Sequence, residues 1–298
     1  MTAPTAPPSI AALATAFGLD ATGATVVRTA SRHVVRFPAS EVRTFAVPAG
    51  AEGPRTEATV ASVLADAGVP AARVRGGPTS IDGWSVTAWH EIPGVDPDAA
   101  VDAATLGALA SQLHTATARV DGTALAPCDP VAAGRAQLRL VEGAAAEVAV
   151  LRRAADRLEP SWHAAADRAR PAAFDDLDGG SVLHGDLHHG NVVVGRDGPV
   201  LVDLELAGWG PRAFDAAPTA AFVRWYGRPA TDLAAFDGAY GAPLGDRVAE
   251  LGLDEVWALW SACWGLANRH RSAAAAEESD VRVATVATGH APRPWRLR

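Results

Sequence analysis

One segment of the chain, residues 184–205, concentrates the side chains whose types and spacing suit chemistry. It reads HGDLHHGN, followed by three valines, a turn and the apolar run VLVDLE. Asp186 stands five residues before Asn191, and Asp203 follows the last valine of that run. Magnesium prefers hard oxygen ligands and keeps several waters, so an amide and a carboxylate suffice beside substrate phosphates. The separate carboxylate of Asp186 could position an acceptor hydroxyl and take its proton, so the segment predicts phosphoryl transfer.

The turn inside this segment indicates how its polar side chains are brought together. Two short β-like runs, 191–194 and 200–204, flank the turn residues 196–198. A hairpin of this kind would fold Asp203 back beside Asn191. We therefore expect two oxygen ligands side by side with Glu205 nearby. Glu205 either contacts a second metal or is a structural acid, and the sequence leaves both open.

Three histidines in the same segment offer a different interpretation. His184, His188 and His189 could bind zinc or a metal pair in a hydrolase, because imidazole is a common zinc ligand. However, the group at the end of the apolar run is a carboxylate, and no second histidine cluster follows. The pattern therefore favours magnesium and phosphoryl transfer, with His188 and His189 as loop residues that move no proton.

The same residues carry a resemblance to a known family. HGDLHHGN resembles the catalytic loop H-x-D-x-x-x-x-N of the protein-kinase-like superfamily. The glycine after His184, the VDLE run and the GWGP segment leading to Phe214 and Asp215 resemble the aminoglycoside phosphotransferase family. The resemblance spans roughly residues 25–268. It implies an α+β, bilobal, protein-kinase-like fold with a small β-rich N-terminal lobe and a larger, mainly helical C-terminal lobe.

The resemblance also implies a role for each residue of the motif. Asp186 would be the catalytic base, and Asn191 and Asp203 would bind Mg²⁺. His184 would brace the loop, and Asp215 would hold the loop's backbone from the helix that follows. The phosphoryl donor would be ATP or GTP, and the acceptor would be a hydroxyl of a small molecule.

On the nucleotide side, the family places a basic residue on the third strand, paired with a helix glutamate. Arg43 and Glu57 stand at the expected places, and the chain contains no lysine at all. Arginine is longer and makes forked hydrogen bonds, so the exchange is not neutral. Alternation along the strand places Arg43 on one face with Phe45, and Arg36 on the previous strand is a rival for the role.

The remaining contacts to the nucleotide are expected from backbone groups. No glycine-rich loop is present, so the first turn, residues 29–33, would have to cover the phosphates with its N–H groups and the Ser31 hydroxyl. The strand 86–92 would offer backbone groups near His90 and Ile92 to the base.

The elements that must position these groups fall into two parts. The first, residues 1–92, contains a short helix capped by Ser9, three valine-rich strands, a helix over 55–67 and a further strand pair. The second, residues 93–298, is mainly helical. Its predicted segments are 103–120, two or three helices within 131–169, and helices that begin near residues 213, 231 and 254. Tryptophans 257, 260 and 264 recur at helical spacing and are interpreted as core packing rather than as a substrate-stacking wall. The tail after Asp280 is expected to be a loosely attached strap.

Composition sets outer limits on the function. Of the 298 residues, 49% are hydrophobic and 20% are charged, which is typical of a packed globular protein. The formal net charge of −8 argues against a general nucleic-acid binder, which would carry a basic face. The N-terminal sequence has no signal-peptide pattern, and no window is long enough to span a membrane. Cys128 and Cys263 match no metal or redox spacing. These observations predict a soluble cytoplasmic protein.

Two further hypotheses remain beside an O-phosphotransferase acting on an antibiotic or related natural product. Within the same chemistry, the acceptor could be a small metabolite such as an amino alcohol or a sugar. In a different class, the chain could be a catalytically silent, kinase-like protein that binds a nucleotide or a partner and regulates. The intact Asp186, Asn191 and Asp203 oppose the silent protein, whereas the missing lysine and glycine-rich loop keep this hypothesis open.

Overall fold

The computed structural model describes residues 6–29, 32–48, 53–122, 125–169 and 179–296. The chain divides into two compact units, the first formed by residues up to 99 together with 192–205 and the second by 100–191 with 206–298. The first unit thus includes the segment that carries Asp203. The division after residue 92 that the sequence suggests stays a prediction. Ser31 lies outside the described residues, so its role also stays a prediction.

A five-stranded antiparallel sheet forms the body of the first unit. Its strands are β1 (Thr25–Thr29), β2 (His33–Phe37), β3 (Val42–Pro48), β4 (Val74–Ile81) and β5 (Trp84–His90), in the order β1-β2-β3-β5-β4. The predicted alternation along β3 is confirmed: Val42, Thr44 and Ala46 are buried, whereas Arg43 is exposed on the other face. This face therefore carries the charged side chains of the sheet.

Two helices complete this unit. Helix α1 (Ile10–Phe17) begins at Ser9, whose hydroxyl accepts the Ala12 N–H, and its buried Leu13 joins the apolar face of the sheet. Helix α2 (Gly53–Asp66) buries most of one side, and Glu57 on that side is only 5% exposed. A carboxylate this deep requires a partner, because an unpaired buried charge is costly.

A hairpin from later in the chain is fastened to the same unit by backbone hydrogen bonds. It consists of β7 (Val192–Gly195) and β8 (Gly198–Leu201). The Leu201 N–H donates to the Pro70 carbonyl, and the Val194 carbonyl accepts from Asp96. The predicted hairpin is therefore present, and it delivers the 203–205 segment to the first unit.

The second unit is mainly helical. Its helices are α3 (Ala103–Ala116), α4 (Pro130–Leu138), α5 (Ala145–Ala169), α6 (Ala217–Tyr226), α7 (Thr231–Tyr240), α8 (Leu244–Leu251), α9 (Leu253–Ala267) and α10 (Ala273–Thr288). Helix α9 is buried almost all round and packs against α4, α5, α6 and α10. Trp257 and Trp260, both on α9, are 3% and 4% exposed, as expected for core residues.

Two antiparallel strands stand among these helices, β6 (Gly180–Leu183) and β9 (Gly208–Pro211). Every residue of β6 is buried. Because β6 is packed on all sides, it determines the position at which the residues after Leu183 begin.

Two sequence-based expectations about the helices differ from the structure, and a third is confirmed. Helix α3 ends at Ala116 rather than near residue 120, and Thr117 caps it. Helix α8 was not predicted, because the glycines and prolines around it resemble a loop. The segment 131–169 holds two helices within the described residues, α4 and α5.

The expectation of a loosely attached tail is wrong. Trp295 is 2% exposed, and its ring stacks on Trp225 with centroids 5.4 Å apart. The Arg296 N–H donates to the carboxylate of Glu278, a buried residue of α10. An aromatic anchor and a buried acid therefore hold the tail against the second unit.

Among the helices of the described residues, none has both the length and the apolar composition required to cross a membrane.

Candidate active site

The chain leaves β6 through a tight turn that only glycine fits. Gly185 has φ of 80°, and a Cβ there would lie 2.6 Å from the Leu206 carbonyl oxygen. His184, just before it, is 1% exposed, and its Nδ1 accepts the N–H of Asp186. The predicted bracing role of His184 has this contact as its physical basis.

Asp215 binds the backbone of the same turn. Its carboxylate has no exposed surface and accepts the N–H groups of His184 at 3.0 Å and Gly185 at 2.8 Å. His114 of α3 lies against the same carboxylate, with Nε2 3.0 Å from Oδ2, and the Tyr240 hydroxyl lies against the other ring nitrogen. Asp215 thus binds the loop's backbone through two hydrogen bonds, and its role in catalysis stays a prediction.

The Asp186 carboxylate is held at both of its oxygens. The indole N–H of Trp257 donates to Oδ1 at 2.6 Å, and the Asn191 amide donates to Oδ2 at 3.1 Å. The Nε2 of His188 lies 3.6 Å from the same Oδ2. The side chain thus has one orientation, set by two donors on different elements.

These contacts also fix the charge of Asp186. Burial raises the pKa of this carboxyl, but His188 and the Trp257 N–H outweigh the burial, and the net pKa lies below its ordinary value of 3.8. Donors to a carboxylate favour its ionised form. Asp186 is therefore an anion at neutral pH and able to accept a proton.

Asn191 closes the loop through its amide nitrogen. Nδ2 donates to the Asp186 carbonyl at 2.9 Å as well as to its carboxylate, and the Asn191 N–H donates to the His188 carbonyl. Because the nitrogen is used within the loop, the amide oxygen is the atom that can ligate a cation.

The neighbouring histidines do not form a metal-binding group. The Nδ1 of His188 accepts the Gly190 N–H, so the proton of a neutral ring lies on Nε2, toward Asp186. His189 packs edge-on against Phe222, and burial lowers its pKa. Within the ranges that the structure describes, the one group of three suitable ligands contains no histidine. The zinc-hydrolase interpretation gains no support from this geometry.

That group of three ligands belongs to the first unit and consists of carboxylates. Single oxygens of Glu57, Asp203 and Glu205 all lie within 4.8 Å of one another. The Arg32 guanidinium stands among them, and its Nη2 atom is 2.9 Å from Glu57, 3.4 Å from Asp203 and 3.0 Å from Glu205. Four side chains from three separate stretches of sequence therefore form one charged cluster, named here the Arg32 cluster.

Burial and charge act in opposite directions on this cluster. Burial raises the pKa of Glu57, Arg32 lowers it, and Asp203 raises it again, with a net rise. The Asp203 backbone has φ of 62°, an unusual conformation for a residue other than glycine. Such strain at a polar residue is a frequent mark of function.

The chemistry of these donors fits a divalent cation. Hard cations such as Mg²⁺ take carboxylate and amide oxygens. The Arg32 cluster presents three carboxylates, of which Asp203 is half exposed. The predicted metal ligand Asp203 is thus part of an oxygen-rich cluster, and its role as a ligand stays a prediction.

The predicted pair between Arg43 and Glu57 is wrong. Arg43 donates from Nε to Glu91 at 2.8 Å, and Arg36 donates to both oxygens of the same carboxylate. Arg43 lies opposite Arg36 in the register of β2 and β3, so both cations face one acid at the sheet surface. Glu57 pairs with Arg32 instead. Whether Arg43 contacts the nucleotide stays a prediction.

The backbone groups expected to bind the nucleotide base are only partly available. The His90 N–H donates to the Arg73 carbonyl at 2.9 Å, so this N–H is already used within the sheet. Ile92 is half-buried, and the roles of His90 and Ile92 stay predictions.

Three residues of this chemistry were not assigned from the sequence. Trp257 was read only as core, because helical spacing says nothing about an indole N–H. His114 lies in an ordinary helix, 101 residues from its partner Asp215. For Arg32, the sequence gives one indication. The chain has no lysine, so the cation that pairs with a buried glutamate is expected to be an arginine.

The model of the phosphotransferase enzyme family, APH, matches residues 14–251. The chain therefore belongs to this family.

Solved structures agree on the fold. The amicoumacin kinase hAmiN, in complex with AMP-PNP, Ca²⁺ and Ami, has a TM-score of 0.67 at 14% identity, over 93% of this chain and 92% of that one. A microcompartment-associated aminopropanol kinase has a TM-score of 0.63 at 17% identity, over 93% and 94%. The choline kinase LicA from Streptococcus pneumoniae has a TM-score of 0.55 at 11% identity, over 88% and 93%. These likenesses show the α+β, protein-kinase-like fold that the motif implied. No curated protein sequence matches the chain.

Proposed function

We propose that this protein transfers the γ-phosphoryl group of a nucleoside triphosphate to a hydroxyl of a small molecule. The observation that carries the proposal is the Asp186 carboxylate, held at both oxygens and kept ionised by its surroundings. A base that is ionised at neutral pH and cannot rotate away suits proton removal from a hydroxyl.

In the proposed reaction, Asp186 receives the acceptor's hydroxyl. The lone pairs left on its carboxylate oxygens accept the proton while the new O–P bond forms and the bond to the nucleoside diphosphate breaks. The Trp257 and Asn191 donors keep the carboxylate in place, and Asp215 keeps the loop in place. Each of these groups is fixed before substrate arrives, which favours catalysis by positioning.

We propose that Mg²⁺ is held by the Asn191 amide oxygen and the Asp203 carboxylate. Bound there, the ion would neutralise the charge of the donor's phosphates. Glu205, which shares the Arg32 cluster, is the candidate for a further metal contact. The proposed residues of the nucleotide side are Glu57, Ser31, His90 and Ile92, with ATP or GTP as the donor. Arg43 pairs with Glu91 instead, so we expect its contribution to nucleotide binding to be small.

Family membership and similar folds support a small-molecule acceptor. Two of the similar structures are named as kinases of amicoumacin and of aminopropanol, which supports a small-molecule acceptor but does not choose its class. We propose an antibiotic or related natural product first and a small metabolite second. Both cysteines are buried and free, which supports the proposal that the protein works in the reducing cytoplasm.

The test is a turnover screen with ATP and GTP against hydroxylated antibiotics, amino alcohols and sugars. We expect release of nucleoside diphosphate that depends on one acceptor. This release should stop in excess EDTA. Asp203→Asn should weaken binding of the metal-nucleotide more than binding of the acceptor. A protein that binds nucleotide but turns over no acceptor would favour the silent regulatory protein instead. Full activity in EDTA would contradict the magnesium proposal.

A further inference from the structure

The Arg32 cluster places a positive charge among three carboxylates that could also hold a divalent cation. Three carboxylates, from Glu57, Asp203 and Glu205, carry a formal charge of −3 if all are ionised, and the guanidinium returns +1. One nitrogen atom, Nη2, makes all three contacts. A metal ion bound to the same carboxylates would meet that nitrogen at close range, so the two cations exclude each other.

Position and burial make Arg32 different from the other arginines of the sheet. It lies directly before β2, and its side chain is 25% exposed, compared with 47% for Arg36 and 46% for Arg43. Those two share Glu91 and can neutralise only one acid between them. Glu57, the buried carboxylate of α2, depends on Arg32.

Among the described residues, the carboxylate contacts of the guanidinium leave N–H groups for a second ligand. It carries five N–H groups in a planar fork, and the contacts with the carboxylates use one terminal nitrogen. A planar fork is well matched to phosphate oxygens. When a metal ion binds and neutralises the carboxylates of Asp203 and Glu205, Arg32 loses two of its partners. Its guanidinium is then free to bind an incoming polyphosphate.

We propose that Arg32 is an exchangeable counter-ion of the nucleotide site, which occupies the cation position in the free enzyme and binds phosphate oxygens once the metal-nucleotide enters. This inference rests on the proposed function and names the residue that replaces the missing third-strand lysine. It has a consequence that a purely structural ion pair would not have. Removing Arg32 changes the affinity for the metal alone and the affinity for the metal-nucleotide in opposite directions.

The experiment measures binding rather than turnover. Mn²⁺ alone is titrated into the full-length protein at neutral pH, and free Mn²⁺ is followed by electron paramagnetic resonance. Arg32→Ala should bind Mn²⁺ about tenfold more tightly than the wild type, because a competing charge is gone. The same variant should bind a non-hydrolysable nucleotide analogue with Mg²⁺ about tenfold more weakly, because a charged hydrogen bond is lost.

Three variants make the result specific. Arg55→Ala removes an exposed arginine from the same helix as Glu57 and should change neither affinity. Arg32→Lys keeps the charge and should restore most of the exclusion of Mn²⁺. Arg32→Gln keeps a donor and most of the size, and it replaces Arg32→Ala if thermal unfolding shows that the alanine variant does not fold.

Opposite changes in the two affinities support the proposal. An unchanged affinity for Mn²⁺, or a fall in both affinities, would show that Arg32 only holds the cluster together and would overturn it. An unchanged affinity for the nucleotide would overturn the phosphate role in the same way. If the wild type itself binds no metal-nucleotide, the proposed function fails, and that outcome is distinct because it needs no variant.

Discussion

The catalytic loop and the Arg32 cluster are both built on carboxylates, yet different forces hold them. Asp215 grips the loop through two backbone N–H groups and has no exposed surface. The Arg32 cluster is joined by ion pairs between side chains, and Asp203 and Glu205 keep 49% and 30% of their side chains exposed. Backbone contacts of this kind survive a change of ligand, whereas partly hydrated ion pairs can exchange partners at small cost.

Under the proposed function, this difference separates two tasks. A proton acceptor must stand at one position when the hydroxyl arrives, and the loop provides a fixed position. A metal-nucleotide must enter and leave, and the cluster provides charges that can regroup around it. The predictions below test this separation, beginning with the largest expected effect.

Replacing Asp186 should affect catalysis and almost nothing else. We expect Asp186→Asn to lower kcat by about 10² to 10⁴, because a positioned base contributes that much. Binding of the metal-nucleotide should stay within about twofold of the wild type, since a lost base leaves the phosphate contacts of the nucleotide intact. Steady-state kinetics with the acceptor and a direct nucleotide titration give the two numbers. A wild-type kcat in this variant would remove Asp186 from the mechanism.

Weakening the grip on the loop should cost both stability and rate. Asp215→Asn removes the charge that accepts the His184 and Gly185 N–H groups, and we expect a loss of about 3 kcal/mol in the free energy of unfolding. The kcat should fall as well, because the loop loses its fixed geometry. Urea denaturation and kinetics on the folded fraction measure these effects. A variant as stable as the wild type would show that the loop is held by something other than Asp215.

Removing the indole donor should change the pH dependence. The Trp257 N–H stabilises the ionised form of Asp186, so Trp257→Phe should raise the pKa of that carboxyl. A base with a depressed pKa loses activity only as the pH falls through that low pKa, and a raised pKa moves this acidic limb to higher pH. The profile of kcat/KM against pH should therefore shift upward, with a fall in kcat of about tenfold.

Trp260→Phe is the matched control for that shift, because Trp260 is equally buried on the same helix. It should lower stability without moving the acidic limb. Identical pH profiles for the two tryptophan variants would show that Trp257 contributes only to packing and does not set the pKa of Asp186.

The smallest effects are expected on the outer face of the sheet. Arg43→Ala and Arg36→Ala each leave Glu91 with one cation, and both arginines are largely exposed. We expect changes in nucleotide affinity of less than about threefold, because exposed ion pairs contribute little. Isothermal titration of both variants beside Arg32→Ala gives the order. A large loss in Arg43→Ala alone would restore the third-strand assignment made from the sequence.

The loop was predictable from the sequence because its geometry is local. Asp186 and Asn191 lie within one short segment, and the glycine at 185 marks the turn that aims them. The hairpin β7–β8 was predictable for the same reason, since two valine-rich runs and a turn stand side by side in the chain.

The cluster was not predictable, because its partners are remote. Arg32 and Asp203 are separated by 171 residues, and no pattern in the sequence chooses Arg32 over Arg43 as the partner of Glu57. The choice is made by the sheet, which turns Arg43 toward Glu91. The packing of the tail was not predictable for the same reason. Nothing in the sequence around the single tryptophan of PRPWRLR indicates that it stacks on Trp225.

The most direct test of the central claim is to identify the phosphorylated product. Phosphorus NMR on a reaction with Mg²⁺, nucleoside triphosphate and an acceptor from the screen shows where the γ-phosphoryl group goes. We predict a new phosphomonoester on the acceptor's oxygen with the wild type, and no such signal with Asp186→Asn over the same time. Two results would contradict a phosphotransferase that uses Asp186 as its base. One is inorganic phosphate as the sole product with every acceptor that accelerates turnover. The other is equal ester formation by the wild type and the variant.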